Sequence, residues 1–164
     1  MLKWTVVETP AGPFCAVADE RGVVRASGWE SDVDELLREV APELLAEQRV
    51  ADDLGPVRSA VVDYYEKGDC AALDSVEVRP ADTAFLREAW AALRGIRPGE
   101  RVSYREFAGR MGRPTATRAA ASACARNRTG LFVPCHRVVR SDGSVGQFRW
   151  GPETKRWHLE HEAA

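Results

Sequence analysis

Residues 103–126 read SYREFAGRMGRPTATRAAASACAR. Ser103 and Glu106 fit a capping box, in which the hydroxyl and the carboxylate satisfy the free donors of a helix start. A short helix to Met111 is predicted, Gly112-Arg113-Pro114 turns the chain, and the Ala-rich run from Thr115 to Arg126 propagates a further helix. Helix, tight Gly turn, helix is the layout of helix-turn-helix DNA readers. Small side chains also let a helix lie close to a nucleic-acid backbone, although Ala-rich helices serve as close-packed core too. The helix before this pair starts at Asp82 or Thr83, carries Phe85, Leu86, Ala89, Trp90 and Leu93 on one face, and ends at Gly95.

The charge around this stretch points the same way. The chain has 164 residues and a formal net charge of -2, which taken whole suggests no affinity for nucleic acid. Divided, residues 1–84 carry 8 basic and 18 acidic side chains, net -10, and residues 85–164 carry 15 basic and 7 acidic, net +8. Between Arg94 and Arg140 there are eleven Arg against only Glu100 and Glu106. Arg forks bind phosphates bidentately, whereas a solvated basic face is the plainer reading of the same charges.

With 45% apolar and 29% charged residues, a chain this long buries roughly two-thirds of its unfolded surface. That excludes a disordered tail and a disulfide-held miniprotein. No apolar run approaches the roughly 20 residues of a membrane helix, and Met1-Leu2-Lys3-Trp4 leads into alternation and not a secretory segment. A cytoplasmic protein without a membrane partner is expected. Cys15, Cys70, Cys124 and Cys135 form no CxxC pair, so reduced thiols are expected. All three histidines lie after Cys135, and no cluster has zinc-ligand spacing; neither metal nor cofactor is expected.

The N-terminal half alternates at residues 4–7, 14–18 and 22–26 between turn signals, which predicts an antiparallel meander. Two helices follow it, one capped by Ser31 with Val33, Leu36, Leu37 and Val40, and one opened by Pro56 with Val57, Ala60, Val61 and Tyr64. The polar stretch from Cys70 to Asp82 is the candidate junction. The expected architecture is α+β: a small N-terminal antiparallel sheet with helices over 1–80, then a mostly helical unit over 81–164 with a helix-turn-helix and a nucleophile loop.

The chemistry lies at Val133-Pro134-Cys135-His136-Arg137-Val138-Val139. An isolated Cys in an apolar run is more often a small hydrophobe than a nucleophile. As a thiolate it is a soft, strong nucleophile suited to displacement at saturated carbon. Neighbours in an extended run point apart, so Cys135 and His136 are predicted to meet through a water.

The surroundings narrow the choice. Pro134 to Val139 is followed by Asp142-Gly143, Val145-Gly146 and Phe148 to Gly151. Upstream stand Ser103-Tyr104, Arg118-Ala119, and Asn127 eight residues before Cys135; downstream stand Lys155, Trp157, Leu159 and Glu162. This pattern, spanning about residues 82–163, resembles the O6-alkylguanine-DNA alkyltransferase family, the methylated-DNA-protein-cysteine methyltransferases.

The resemblance implies direct-reversal DNA repair, in which Cys135 irreversibly takes an alkyl group from O6-alkylguanine in duplex DNA, with O4-alkylthymine left open as a second substrate. Glu162 would complete a Cys-His-Glu relay with His136, and Asn127 would support it. Tyr104 would push the phosphate and offer its hydroxyl to the flipped base, and Arg118 would fill the gap left in the stack. Arg113, Arg126 and Arg128 are expected on phosphates, and Val138, Gly146, Phe148 and Arg149 around the base. A monomer acting on DNA largely without sequence preference is implied, cytoplasmic and associated with the nucleoid when bound. Phe148 stands where the family usually has Tyr, Arg128 where Pro follows the Asn, His158 in place of a usual Leu, and Gln147 in place of Gly or Asn. Two other readings compete: a DNA-binding sensor that holds alkylguanine without transfer, against which Cys135 argues, and a Cys-His-Glu thiol hydrolase, against which the arginines argue.

Overall fold

A computed structural model describes residues 1–79 and 83–164. The chain forms two compact units. The first contains Met1–Arg79 and takes back Arg128–Phe132; the second runs through Asn127 and resumes from Val133 to Ala164. The boundary read from the sequence, between 80 and 81, lies outside the described residues, and it did not foresee the return of 128–132 to the first unit.

In the first unit β1 (Leu2–Thr9), β2 (Gly12–Ala18) and β3 (Val24–Gly28) form the meander. Trp4 pairs with Val17, and Ala16 with Ser27. The Asp19 carboxylate fixes the β2–β3 turn by accepting from the N–H groups of Arg21 and Val23. Helix α1 (Val33–Val40) buries Leu36, Leu37 and Val40. Its cap is Asp32, not Ser31: the Asp32 carboxylate accepts from the amides of Asp34 and Glu35. A three-residue strand, β4 (Arg49–Ala51), then pairs parallel to β1, giving the order β3-β2-β1-β4; it is too short for alternation to betray it.

Helix α2 (Gly55–Lys67) opens at Pro56 and buries Val57, Ala60, Val61, Tyr64 and Tyr65. A single turn, α3 (Ala71–Asp74), follows. The returning segment lies along β3. Ser27 N donates to Arg128 O at 2.9 Å, Gly130 N to Ser27 O at 3.1 Å, and Ser27 Oγ to Gly130 O at 2.8 Å. Phe132 meets Phe14 edge-on, with ring centroids 6.0 Å apart.

In the second unit α4 (Ala84–Arg94) is capped by Thr83, whose hydroxyl accepts from Leu86 N; the alternative start at Asp82 lies outside the described residues. Strand β5 (Val102–Ser103) leads into α5 (Tyr104–Arg110), with Ser103 Oγ accepting from Glu106 N at 3.0 Å. After the turn at Met111–Ala116, α6 (Thr117–Ala125) packs on α5 and buries Ala120 and Ala123 completely. It is shorter than the run from Thr115 to Arg126, because Arg113 and Ala116 are tied into the turn by Ala108 O and Arg113 O. Strand β6 (Val138–Val139) pairs parallel with β5. Helix α7 (Pro152–Ala163) starts after Gly151, which sits at φ 99°. The core gathers Leu86, Trp90, Leu93, Phe107, Val133, Val138 and Leu159.

Candidate active site

Cys135 does not lie in an extended run. Pro134 holds φ near its ring-fixed value, and Cys135–Arg137 closes a short 3-10 turn with Arg137 N donating to Pro134 O. The turn buries three consecutive side chains, Cys135, His136 and Arg137. Cys135 Sγ receives a hydrogen bond at 3.1 Å from Asn127 Nδ2, which also donates to Val133 O at 2.9 Å. Asn127, just past α6, is 1% exposed, and its amide ties the end of that helix to the Cys135 turn.

Cys135 faces a cavity of about 290 Å³. Tyr104 of α5, Ala121 and Cys124 of α6, the loop from Gln147 to Trp150, and Lys155 of α7 complete its lining. Burial pushes the Cys135 thiol up, opposed by the Asn127 hydrogen bond and the Lys155 charge. Burial therefore favours the protonated thiol. Burial likewise pushes up Cys124 and takes Tyr104 to about 12, and it pulls Lys155 down. Lys155 is 1% exposed. Its ammonium donates to Gln147 O at 3.3 Å and stands 5.7 Å from the Tyr104 ring centre and 5.9 Å from that of Phe148.

Behind the thiol lies an ion cluster. His136 Nε2 is 2.8 Å from Glu162 Oε2. Arg137 Nε donates to Glu162 Oε1 at 2.8 Å, and its other nitrogens reach Glu162 Oε2 and Ile96 O. Burial alone would raise the Glu162 carboxyl, but His136 and Arg137 override it and hold the group far below the usual carboxylate range. An ionised carboxylate only accepts, so His136 Nε2 carries the hydrogen and Nδ1 presents its lone pair when the ring is neutral. That Nδ1 is buried and has no hydrogen-bond partner among the described residues.

His158 packs against this cluster, its ring 5.5 Å from that of His136. Its Nδ1 must donate to Thr154 O, 2.7 Å away. Burial, and then His136, push it down from 6.5 to about 3. A base with a depressed folded value protonates first in the unfolded chain, so this group costs stability as pH falls from about 6.5 toward 3. His158→Leu is expected to shift the acid-unfolding midpoint, followed by circular dichroism, to lower pH. An unchanged or higher midpoint would contradict this.

Of the residues singled out in the sequence, the structure brings Cys135, Asn127, Tyr104, Phe148 and Arg149 to the cavity and pairs His136 with Glu162. Arg149 donates to Ala125 O, and Val138 is fully buried in β6. Gly146, at φ 79°, lies against Tyr104 and Arg140: a Cβ there would meet Arg140 Cγ at 3.4 Å and Tyr104 Oη at 3.6 Å. Arg118 and Arg126 are exposed at the two ends of α6. Arg113 pairs with Glu88 and covers Phe85. Arg128 belongs to the first unit and pairs with Glu43. The sequence reading missed Arg137 as the second partner of Glu162 and gave Lys155 no task. An Arg between His and Val in an apolar segment was the available signal, since a charge kept there needs a buried partner.

The family profile described as the DNA-binding domain of 6-O-methylguanine DNA methyltransferase matches residues 84–164. The chain is 36% identical over 159 residues to the methylated-DNA-protein-cysteine methyltransferase of Salmonella typhimurium, covering 95% of this chain and 92% of that one. It is 32% identical over 174 residues to the Rattus norvegicus protein of the same name, covering 98% and 82%. Among solved structures, it resembles the O6-methylguanine methyltransferase of Mycobacterium tuberculosis with a TM-score of 0.80 and 25% identity, over 99% of this chain and 93% of that one. The same enzyme in complex with DNA matches with a TM-score of 0.79 and 25% identity, over 98% and 92%. With identity above 30% sustained along nearly the whole of a relative, the chain belongs to the methylated-DNA-protein-cysteine methyltransferase family.

Proposed function

We propose that the protein repairs DNA directly, moving the alkyl group from O6 of a flipped guanine in duplex DNA onto Cys135 Sγ, once per molecule. The observation that carries this reading is a buried thiol, hydrogen-bonded by Asn127, at a cavity lined by Tyr104 and Phe148 and backed by the His136–Glu162–Arg137 cluster.

The target base cannot be attacked inside the stack, so it is extruded at a cost of a few kcal/mol. Helices α5 and α6 act as the helix-turn-helix on DNA, and Arg118, exposed on the first turn of α6, fills the gap. Arg118→Ala is expected to slow transfer about tenfold from duplex DNA and less from single strands, where no stack must be opened. Equal losses on both would contradict that role.

In the chemical step the Cys135 proton passes through a water to His136 Nδ1, and Glu162 holds the resulting imidazolium charge. The Sγ–C bond forms as the C–O6 bond breaks, and the electron pair goes to the guanine. Tyr104 gives its hydroxyl proton to the guanine ring and is reprotonated through solvent. The thiol loses one proton and guanine gains one; the products are a thioether and an unmodified base. Lys155 lowers the cost of the transient thiolate. Nothing in the pocket reverses a thioether, so each molecule acts once.

Phe148 stacks but has no hydroxyl to offer, leaving proton donation to Tyr104. Phe148→Tyr is expected to leave the single-turnover rate unchanged or faster; a large loss would show that the ring is not at the base. The protein acts as a monomer in the cytoplasm and at the nucleoid, without metal or cofactor. The test is duplex DNA carrying a radiolabelled methyl on guanine O6. Label moves to protein up to one equivalent. Label that stays on tightly bound DNA would favour a sensor, and continued release as a small molecule would favour a hydrolase.

A further inference from the structure

Beside the pocket lies a shallow cavity of about 340 Å³ lined by Arg140, Ser144, Gly146, Gln147, Phe148 and Arg156 among others. The two depressions share Gln147 and Phe148. The reading of Cys135 as acceptor gives this second cavity no task.

Its two guanidinium groups come from separate elements. Arg140 follows β6 and is fixed by a turn in which Arg140 N donates to Ser144 O at 3.0 Å and Gly143 N to Arg140 O at 2.9 Å. Its Cγ and Nε, with the Tyr104 hydroxyl, lie 3.4, 3.7 and 3.6 Å from the spot where Gly146 lacks a side chain. Arg140 therefore stands next to the phenol at the base pocket. Arg156 projects to solvent from α7, one residue after buried Lys155. Neither forms an ion pair among the described residues, whereas Arg110, Arg113, Arg128 and Arg137 are each held by a glutamate. The carboxylate in the Arg140 turn, Asp142, accepts from Ser144 N and Oγ. Two guanidinium groups without an ion pair among the described residues, lining one concavity, form a receptor for a phosphate.

We propose that Arg140 and Arg156 form a phosphate subsite for the nucleotide whose base occupies the Cys135 pocket, so that an O6-alkylguanine mononucleotide is a better substrate than its nucleoside. The inference rests on the alkyl-transfer reading. Its chemistry is shared by two sources, the backbone of a DNA strand and a free nucleotide. Because the two cavities share Gln147 and Phe148, the phosphate of a nucleotide whose base lies against Cys135 is assigned to the arginines of the neighbouring cavity. Gly146 holds the loop at φ 79°, a backbone conformation that favours glycine, and a Cβ there would only be in ordinary contact with Arg140 and Tyr104.

The test measures the second-order rate of Cys135 alkylation, by mass spectrometry at low salt, with O6-methyl-2′-deoxyguanosine and with its 5′- and 3′-monophosphates. One monophosphate is expected to react about tenfold faster than the nucleoside, the scale of a charge-assisted contact, and added inorganic phosphate suppresses that gain. In Arg140→Gln and Arg156→Gln the ratio of nucleotide to nucleoside rate, taken within each variant, falls toward one. A wild-type ratio near one, or a ratio that survives both substitutions, would overturn the subsite. A parallel arm with methylguanine duplex separates the sources: an equal loss there assigns the subsite to the DNA backbone, and no loss assigns it to free nucleotides. If duplex DNA labels Cys135 while phosphate gives no gain, only this inference fails; if duplex DNA leaves Cys135 unlabelled, the alkyl-transfer reading fails with it.

Discussion

Cys135→Ala is expected to bring alkyl transfer below detection while DNA affinity stays within about threefold of wild type, because affinity comes from phosphates and helix fit and not from the thiol. Removing Sγ deletes one acceptor of Asn127 Nδ2, which keeps its bond to Val133 O at 2.9 Å, so the turn survives. Cys135→Ser separates geometry from nucleophilicity. The hydroxyl retains an acceptor for Asn127, yet an oxygen nucleophile is hard and poorly ionised. Transfer by the Ser variant is also expected to be undetectable. Single-turnover transfer and gel-shift affinity with the same duplex check both variants. Residual transfer in Cys135→Ala would point to Cys124, the other thiol lining the cavity.

The second large effect falls on Glu162, where function and stability share one carboxylate. Its side chain is 1% exposed and that of Arg137 is 7%. Glu162→Gln leaves a buried guanidinium without its counter-charge, a loss on the order of 3–5 kcal/mol. For a chain of this size that lowers Tm by about 10 °C. The imidazolium formed during transfer also loses its support, so the rate is expected to drop about 100-fold or more. Arg137→Met removes the other partner and separates the two effects: stability falls while His136 keeps its carboxylate, so the rate changes much less. Melting curves and single-turnover rates on both variants decide it. Equal rate losses would mean that Glu162 acts only through the fold.

The pH dependence has a definite sign. The Glu162 carboxyl is depressed in the folded state, so its contribution is fully present above the ordinary carboxylate range and is lost as pH falls below it. His158 adds a loss beginning higher, near 6.5. Acidification thus weakens the molecule in two steps, and only the upper one belongs to His158.

Long periodic segments and cap chemistry were legible in the sequence. Leu86, Ala89, Trp90 and Leu93 mark α4, Ser103 marks the start of α5, and Pro56 opens α2, because each signal is local. What escaped depends on distant partners. Strand β4 has three residues and β5 and β6 two each, too few for a period. Asp32 displaced Ser31 as the α1 cap because a carboxylate one residue on reaches two amides. Arg128, which the sequence suggested for phosphates, pairs with Glu43, 85 residues away, a partner that no local signal shows. The segment around Cys135 was conspicuous in the sequence but its conformation was not: the turn after Pro134 buries His136 and Arg137 together, and both pair with Glu162 at the far end of α7. The eleven-arginine tally needed the same correction, since four of those side chains already hold glutamates.

The most direct measurement of the central claim is intact-mass and peptide-mass spectrometry of the protein after incubation with excess O6-methylguanine duplex. The expected result is a gain of one methyl per molecule, saturating at one equivalent and located wholly on the Cys135 peptide. Methyl on Cys124, a stoichiometry that keeps rising, or unmodified protein alongside repaired DNA would contradict it.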